Sequence, residues 1–280
     1  MLKIGMVDQY LDEWHATHYP DLFRKEFAAQ GLDMEMHLAY GFTDKPGGMT
    51  SAEWSRQQQV PLASSLEELT EQCDAVMVMA PSFPENHFKY AAPALKAGKP
   101  VYIDKIFAPS EEEGKKIFDL AKAHGAPVFS SSALRFDAAM DGYRAGEGRS
   151  ARWTLTCGPN SFEIYAIHQF EMLQTVMGRP ERVKALGNDG GRTLIFDYGE
   201  GRFGQTAQMN SLPFQISVSD GQTCRHQMMG GDFFQRLVRA IIRFFQTGEA
   251  PVPPQDTLDA LAMLTAGARA MEQKDTWVKL

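Results

Sequence analysis

Apolar runs alternate with longer amphipathic stretches through the first 130 residues of the chain. The run Ala75–Ala80 is apolar without a break, which is typical of a strand covered on both faces. Ser64 and Ser65 offer N-cap chemistry before one amphipathic stretch, and glycines such as Gly31 close others. We predict strands at 2–7, 34–40, 75–80, 101–103 and 128–130, and helices at 19–30, 66–72, 87–97 and 110–125. Strands and helices that alternate in this way predict a doubly wound parallel sheet.

Shorter β-rich runs separated by turn residues replace this rhythm in the second half. The turns recur at 188–191, 198–201 and 220–221. We predict strands at 152–157, 182–186, 193–198, 203–209, 214–218 and 223–228, and helices at 164–177, 232–246 and 257–273. The pattern indicates an α+β domain with an open, mostly antiparallel sheet. Because glycines interrupt the apolar pattern near 142–148, we divide the chain into domains 1–133 and 134–280.

The amino-acid composition disfavours several classes of protein and of binding partner. The chain has 280 residues, of which 44% are hydrophobic and 22% charged, and these values are ordinary for a globular protein. Its formal net charge of −7 disfavours nucleic acid and anionic membranes as partners. Cys73, Cys157 and Cys224 are too few and too scattered for a disulfide framework. With no apolar run of about 18 residues and no secretory segment, we expect a cytoplasmic protein with a small-molecule substrate.

Lys105 follows the predicted strand 101–103, and ligands of an open parallel sheet bind at the carboxyl ends of its strands. A lysine at that edge can hydrogen-bond a substrate hydroxyl or carbonyl. A solvated loop charge is the alternative, and position alone does not separate the two.

A series of motifs resembles the Gfo/Idh/MocA family, named after glucose–fructose oxidoreductase, inositol dehydrogenase and a rhizopine-catabolism protein. The motifs follow the family's order through most of the chain: Ser82-Phe83-Pro84, His87, Ala94–Pro100, Asp104-Lys105-Ile106, Arg135-Phe136, the helical stretch 164–173 with His168, and Gly248–Pro251. The resemblance implies a Rossmann-like first domain followed by the α+β domain.

The resemblance also implies an oxidoreductase that acts on a sugar, polyol or related hydroxy compound and passes hydride to NAD or NADP. Lys105 and His168 match the family's substrate-site residues, and an imidazole can take a hydroxyl proton near neutral pH. The positions matched to the cofactor are Asp8, Tyr10, Leu11, Ser82, Phe83, Pro84, His87 and Asp104. A homo-oligomer formed through the C-terminal sheet is expected on the same ground.

Two parts of the sequence depart from the family pattern. Ile164 stands where the family has an aspartate four residues before the histidine, and Glu163 and Tyr165 are the candidates to replace it. The three glycine positions of a dinucleotide-binding turn hold Asp8, Tyr10 and Glu13. The second strand ends in Tyr40-Gly41 and not in an acid that could bind the adenosine ribose. NAD(P) therefore binds in an altered way or does not bind.

The segment 8–18 holds carboxylates and imidazoles close together in sequence. Asp12, Glu13, His15 and His18 are weak metal-ligand candidates or acid–base groups, although their spacing matches no zinc signature. A first helical turn is also often acidic for dipole reasons alone. Two further functions stay open: a nicotinamide-independent lyase or isomerase of a keto-sugar that uses this segment, and a non-catalytic binding or regulatory subunit.

Overall fold

The computed structural model describes residues 1–159, 161–188, 190–273 and 275–280. It separates into two compact units. The first contains Met1–Ser130 and Leu237–Pro253, and the second contains Ser131–Arg236 and Pro254–Leu280. Asp189, in the predicted turn 188–191, lies outside the described residues. Across the described part of the chain, none of the helices combines the length and the apolar character that crossing a bilayer requires.

A five-stranded parallel sheet with the order β2-β1-β3-β4-β5 forms the first unit. Its strands are β1 (Leu2–Asp8), β2 (Met34–Gly41), β3 (Ala75–Val78), β4 (Val101–Ile103) and β5 (Val128–Phe129). The helices that follow them are α1 (Trp14–Gln30), α2 (Ser51–Gln58), α3 (Leu66–Gln72), α4 (His87–Lys96) and α5 (Glu111–Ala123). The prediction of a doubly wound, Rossmann-like sheet is confirmed.

Helix α1 begins at Trp14, five residues before its predicted start at Tyr19. An interior proline, Pro20, is unfavourable in a helix and argued against the earlier start. The buried residues Ala16, Tyr19 and Phe23 nevertheless follow helical spacing. The earlier start places the segment 14–18 on a helix rather than in a loop.

Helix α2 is absent from the prediction. Thr50 and Glu53 form a capping box at its start: the Thr50 side chain accepts from the Glu53 N–H, and the Glu53 carboxylate accepts from the Thr50 N–H. The spacing Thr-x-x-Glu is the sequence signature of this motif and was sufficient to find the helix.

The second unit contains a seven-stranded sheet with the order β11-β10-β6-β9-β8-β7-β12. The strands are β6 (Trp153–Gly158), β7 (Arg182–Asn188), β8 (Gly191–Asp197), β9 (Phe203–Met209), β10 (Gln215–Ser219), β11 (Cys224–Met228) and β12 (Val278–Lys279). All described pairings are antiparallel except that of β6 with β9. The predicted α+β unit with a mostly antiparallel sheet is therefore confirmed.

Helices α7 (Phe162–Met177) and α9 (Pro254–Glu272) bury their apolar residues against one face of this sheet. The buried cluster joins Phe170 of α7 and Met263 of α9 to Phe196 and Ile216 of the strands. A short helix, α6 (Asp141–Arg144), precedes β6.

Helix α8 (Phe233–Thr247) corrects the predicted boundaries 1–133 and 134–280. From Leu237 to Pro253 the chain belongs to the first unit, where the ring of Phe244 packs edge-on to that of Phe129 at 4.7 Å. Arg239 also pairs with the buried Glu26 of α1 at 2.8 Å. The spacing of apolar residues in α8 predicted an amphipathic helix, but it did not predict which of the two sheets the apolar face packs against.

Candidate functional site

The turn between β1 and α1 carries three of the positions matched to the cofactor. Asp8 ends β1 and is fully buried, Tyr10 is half-buried, and Leu11 is buried. The Tyr10 ring packs edge-on to Phe83 at 5.4 Å, so this turn contacts the turn after β3. Ser82, in the turn after β3, is exposed.

Asp8 is electrostatically unfavourable as an ion. Burial raises the pKa of its carboxyl well above the ordinary value, the Tyr10 N–H opposes this, and the carboxylates of Glu13 and Asp104 raise the pKa further. Its Oδ1 accepts the Tyr10 N–H at 3.4 Å, and Oδ2 has no partner in the described structure. Asp8 is therefore a buried group that favours its neutral form.

Asp104 and His15 form a pair that the sequence patterns did not join. Asp104 follows β4, and its Oδ2 lies 2.6 Å from His15 Nδ1 on the first turn of α1. Tyr102 donates its hydroxyl to the other carboxylate oxygen at 3.2 Å. Burial alone raises the pKa of Asp104, but the charge and hydrogen bond of His15, together with Lys105, hold it below the ordinary value. Because we predicted the helix to begin at Tyr19, no pattern linked residue 15 to β4.

Lys105 follows Asp104 and is half-buried in the first unit. The Lys105–Ile106 peptide bond is cis. Placed after the fourth strand of a parallel sheet, Lys105 occupies the edge at which such sheets bind ligands.

His87 is a structural residue and not a cofactor contact, contrary to the prediction. It is fully buried, its Nδ1 lies 3.1 Å from the Phe107 carbonyl oxygen, and its Nε2 lies 3.1 and 3.0 Å from those of Met79 and Ala80. Burial also lowers its pKa, which favours the neutral ring. His87 thus lies between the end of β3 and the segment after β4, and the ring nitrogen that carries the proton donates to the carbonyl oxygen it faces. Pro84, three residues earlier, begins a 3₁₀ turn that leads into α4.

The weak metal-ligand candidates do not gather at one point. Asp12 accepts the Met49 N–H, Glu13 pairs with Lys45, His15 faces Asp104, and His18 faces the Trp14 carbonyl oxygen. Within the described ranges, no three His, Cys, Asp or Glu side chains are arranged to hold a metal ion. The expected metal set of Asp12, Glu13, His15 and His18 is therefore not formed, because each side chain is engaged elsewhere.

His168 lies in the second unit, on α7, and its Nδ1 is 2.6 Å from Ser132 Oγ. The Phe214 ring packs edge-on to the imidazole at 5.6 Å. The Tyr165 ring lies 6.3 Å from the imidazole ring, while Glu163 is exposed and bonded to Ser161 at 3.4 Å. Ser132 is thus a hydrogen-bond partner of His168 that the prediction, which considered Glu163 and Tyr165, did not include.

A buried carboxylate holds Ser132 in place. Glu171, one turn beyond His168, accepts the Ser132 N–H at 2.9 Å and the Ser131 hydroxyl at 3.0 Å. Arg135 donates to Glu171 at 3.2 Å, and its other nitrogens bind Gln174 and Asp256. The family motifs predicted His168 as a site residue. They did not predict Ser132, because a serine that follows a strand matches no motif by itself.

A dinucleotide bound as the resemblance expects does not fit the β1–α1 turn. Asp8 fills the first glycine position with a buried carboxyl, and Glu13 is the N-cap of α1. Gly41 stands at the ribose-binding end of β2, where a Cβ in place of its hydrogen would lie 3.1 Å from Leu11 Cγ and 3.0 Å from Ser51 Oγ. A side chain at this position would require Leu11 and Ser51 to shift, and Gly41 itself offers no carboxylate to a ribose, so the residues of this turn do not fit an NAD(P) site of the expected kind.

Comparison with known proteins connects the chain to one family. Residues 43–132 match the Gfo/Idh/MocA family model, described as an oxidoreductase family with an NAD-binding Rossmann fold. The matched part begins after the β1–α1 turn and after β2. An Escherichia coli K12 protein, "Uncharacterized oxidoreductase YhhX", is 28% identical over 152 residues, which are 45% of this chain and 44% of the relative. The chain thus matches less than half the length of that relative.

Solved structures extend the likeness in fold to the whole chain. A "probable dehydrogenase" from Thermotoga maritima superposes with a TM-score of 0.82 at 16% identity, covering 99% of both chains. UDP-N-acetylglucosamine 3-dehydrogenase GnnA from Acidithiobacillus ferrooxidans superposes with a TM-score of 0.76 at 14% identity, covering 96% of this chain and 97% of that one. At these identities the likeness shows the fold. Family model, curated relative and fold agree: residues 43–132 match the Gfo/Idh/MocA family of oxidoreductases, and the whole chain has the fold of the dehydrogenase from Thermotoga maritima.

Proposed function

We propose that the protein acts on a sugar, polyol or related hydroxy compound, and that His168 takes the proton of the reacting hydroxyl while Lys105 orients the oxygen. The observation that carries the proposal is the 2.6 Å contact between Ser132 Oγ and His168 Nδ1. A general base needs a fixed tautomer and orientation, and a hydrogen bond to one ring nitrogen supplies both.

Ser132 is able to accept a hydrogen bond from His168 Nδ1, as the proposed role of His168 requires. Its Oγ already accepts the Leu134 N–H at 3.2 Å, and a hydroxyl oxygen has two acceptor lone pairs. The second lone pair suits an N–H on Nδ1 of His168, which leaves Nε2 as the basic nitrogen. Glu171 anchors the Ser132 backbone, so the acceptor stays in place.

In the redox form of the proposal, the carbinol carbon is oxidised, which is the class of reaction of the oxidoreductase family whose model matches residues 43–132. Because the β1–α1 turn does not fit a dinucleotide, this form requires a hydride acceptor that binds away from that turn. Sugar chemistry is supported by the name of one structural neighbour, a dehydrogenase of UDP-N-acetylglucosamine. The assignment of Lys105 and His168 to the same reacting carbon rests on the family resemblance.

A second candidate is a lyase or isomerase of a keto-sugar that needs no nicotinamide. The poor fit of the β1–α1 turn to a dinucleotide favours it. In the isomerase, His168 removes a proton from a carbon next to the carbonyl and returns it to the enediol to give the isomeric carbonyl compound. In the lyase, the electrons of that C–H bond form a C=C bond, a β-hydroxyl group leaves, and the removed proton joins it to form water. Neither reaction needs an oxidant. A third candidate is a non-catalytic binding subunit. Turnover of any small substrate by homogeneous protein would exclude it.

Substitution of His168 tests the proposal on a panel of UDP-N-acetylglucosamine, glucose, myo-inositol and their keto derivatives. Turnover is followed by nicotinamide absorbance with added NAD+ or NADP+, and by solvent-deuterium incorporation without them. We expect His168→Asn to lower kcat by about 10²- to 10⁴-fold. Loss of one neutral hydrogen bond in Ser132→Ala costs about 1 kcal/mol, or roughly fivefold in rate.

His226→Asn is the matched control, because His226 Nδ1 also contacts a serine, Ser217 Oγ at 2.9 Å, on the exposed strand β11. It should leave kcat unchanged. Full activity of His168→Asn would refute the assignment.

We also propose a homo-oligomer formed through the open face of the second sheet. Trp153 is 42% exposed there and its ring lies 5.5 Å from that of Phe203. Light scattering tests this: Trp153→Glu should yield a smaller species than wild type. Trp14→Glu, on a residue 48% exposed in the first unit, should not change the mass.

A further inference from the structure

The carboxyl ends of β1 and β2 border the region where an open parallel sheet accepts the adenosine half of a dinucleotide. Backbone hydrogen bonds here continue past the ends of both strands. The Phe42 N–H donates to the Asp8 carbonyl oxygen at 3.1 Å, and the Thr43 N–H donates to that of Gln9 at 3.2 Å. The two segments therefore stay in contact where a crevice requires them to separate.

Leu11 fills the space beside this continued ladder. Its side chain is 1% exposed, and its Cγ lies 3.1 Å from where a Cβ on Gly41 would be. An apolar side chain thus occupies the place of the acid that binds the adenosine ribose in dinucleotide-binding folds. Gly41 offers no acidic side chain to the ribose hydroxyls, and Leu11 would have to shift to admit one.

The loop 43–50 is fastened over the same turn. Asp12 Oδ2 accepts the Met49 N–H at 3.0 Å. Lys45 Nζ donates to the Asp12 carbonyl oxygen at 3.2 Å and lies 3.4 Å from Glu13 Oε1. Asp44 accepts the Ser51 N–H at 2.7 Å, which holds the far end of the loop to α2.

The charges of the turn also oppose a pyrophosphate. Helix N-termini bind phosphate through free backbone N–H groups and the helix dipole. Here Asp8 already accepts the Tyr10 N–H, and Glu13 is the N-cap residue of α1. Asp12 adds a second carboxylate to that of Glu13 within the same turn, and Lys45 contacts both residues.

We infer that this chain closes its own dinucleotide crevice with the segments 8–13 and 43–50, and that it binds neither NAD nor NADP across the β1–α1 turn. The contacts that carry this inference all lie in the first unit. It stands whether or not His168 acts as a base.

Calorimetric titration of the purified full chain with NAD+, NADP+, NADH and ADP-ribose tests the inference, together with mass spectrometry of any nucleotide released on denaturation. We expect no released nucleotide and no saturable binding up to about 1 mM of each probe. Hydrogen exchange supplies an independent readout: the Phe42 and Thr43 amides should be protected without ligand, and added NAD+ should leave their protection unchanged.

Asp12→Asn gives the matched perturbation, since it weakens the acceptor of the Met49 N–H. Exchange at Met49 should rise at least severalfold in this variant, while Asp21→Asn, on the exposed carboxylate that pairs with Arg24, should leave it unchanged. Saturable binding of any probe, a copurified dinucleotide, unprotected Phe42 and Thr43 amides, or unaltered Met49 exchange in Asp12→Asn would each overturn the inference.

Discussion

Glu171 is the buried carboxylate on which the geometry around His168 depends. The side chains of Glu171 and its partner Arg135 are 8% and 5% exposed, so solvent screens their interaction little. Glu171→Ala removes the acceptor of the Ser131 hydroxyl, of the Ser132 N–H and of the Arg135 guanidinium in one change.

The size of the effect follows from what remains after the change. Removing one partner of a buried ion pair costs about 3–5 kcal/mol, because the other charge stays buried. Arg135 keeps Gln174 at 3.0 Å and Asp256 at 3.2 Å, which moves the cost toward the lower end of that range. Leaving the Ser132 N–H without its acceptor lowers the free energy of unfolding by about 1–3 kcal/mol by itself. Since these effects share one network, we expect a combined loss of about 4 kcal/mol in the free energy of unfolding.

Urea unfolding measures this loss, and hydrogen exchange at the Ser132 amide locates it. Glu171→Gln keeps the shape and one acceptor oxygen, so it should cost roughly half as much as Glu171→Ala. Glu163→Ala, on an exposed carboxylate of the same helix, should stay within about 0.5 kcal/mol of wild type. If Glu171→Ala costs less than about 1 kcal/mol, the buried network does not hold the loop 131–135.

Three further predictions concern other groups. The unfolded chain loses the Asp8 proton near pH 3.9 while the folded protein keeps it, so the contribution of Asp8 to the free energy of unfolding falls by about 1.4 kcal/mol per pH unit above that point until the raised folded pKa is reached. Asp8→Asn removes this pH-dependent loss of stability. The free energy of unfolding of the variant, relative to wild type, should therefore rise with pH in urea titrations. Burial raises the pKa of Cys73 to about 12, so an aromatic disulfide reagent should label the exposed Cys224 in folded protein and Cys73 after unfolding. Phe244→Ala should cost about 3–5 kcal/mol, measured by urea unfolding, because it empties a fully buried site beside Phe129.

Exposed residues provide the controls for these measurements. Asp119→Asn, on an exposed carboxylate, is the control substitution for Asp8→Asn, and Phe88→Ala, at a side chain 39% exposed, should change stability little. A pH-independent difference for Asp8→Asn, fast labelling of Cys73 in the folded state, or a small cost for Phe244→Ala would each contradict the burial argued for that residue.

The order of strands and helices was predictable because apolar runs and caps are local signals. The unbroken run at β3 and the serine caps before α3 and α5 are examples, and each appears in the structure. The α2 capping box carried the same kind of signal and was overlooked.

Candidate-site geometry was less predictable because its contacts join distant parts of the chain. His15 meets Asp104 across 89 residues of sequence, and Ser132 meets His168 across 36. The family motifs predicted Asp104 and His168 as site residues, but they did not predict the residues that contact these two side chains. His87 shows the opposite error: a motif residue suggested contact with a ligand, while burial against three carbonyl oxygens gives it a structural role.

The return of α8 to the first unit has a consequence for synthesis on the ribosome. Residues 131–236 emerge between the two parts of that unit, and Phe129 meets Phe244 only after them. A nascent chain that has reached Ser130 therefore exposes apolar surface that its own later segment must cover. Most of the second unit is translated before Leu237–Pro253 completes the first unit, so the two units finish folding at nearly the same stage. A fragment that ends at Ser130 should therefore not fold alone.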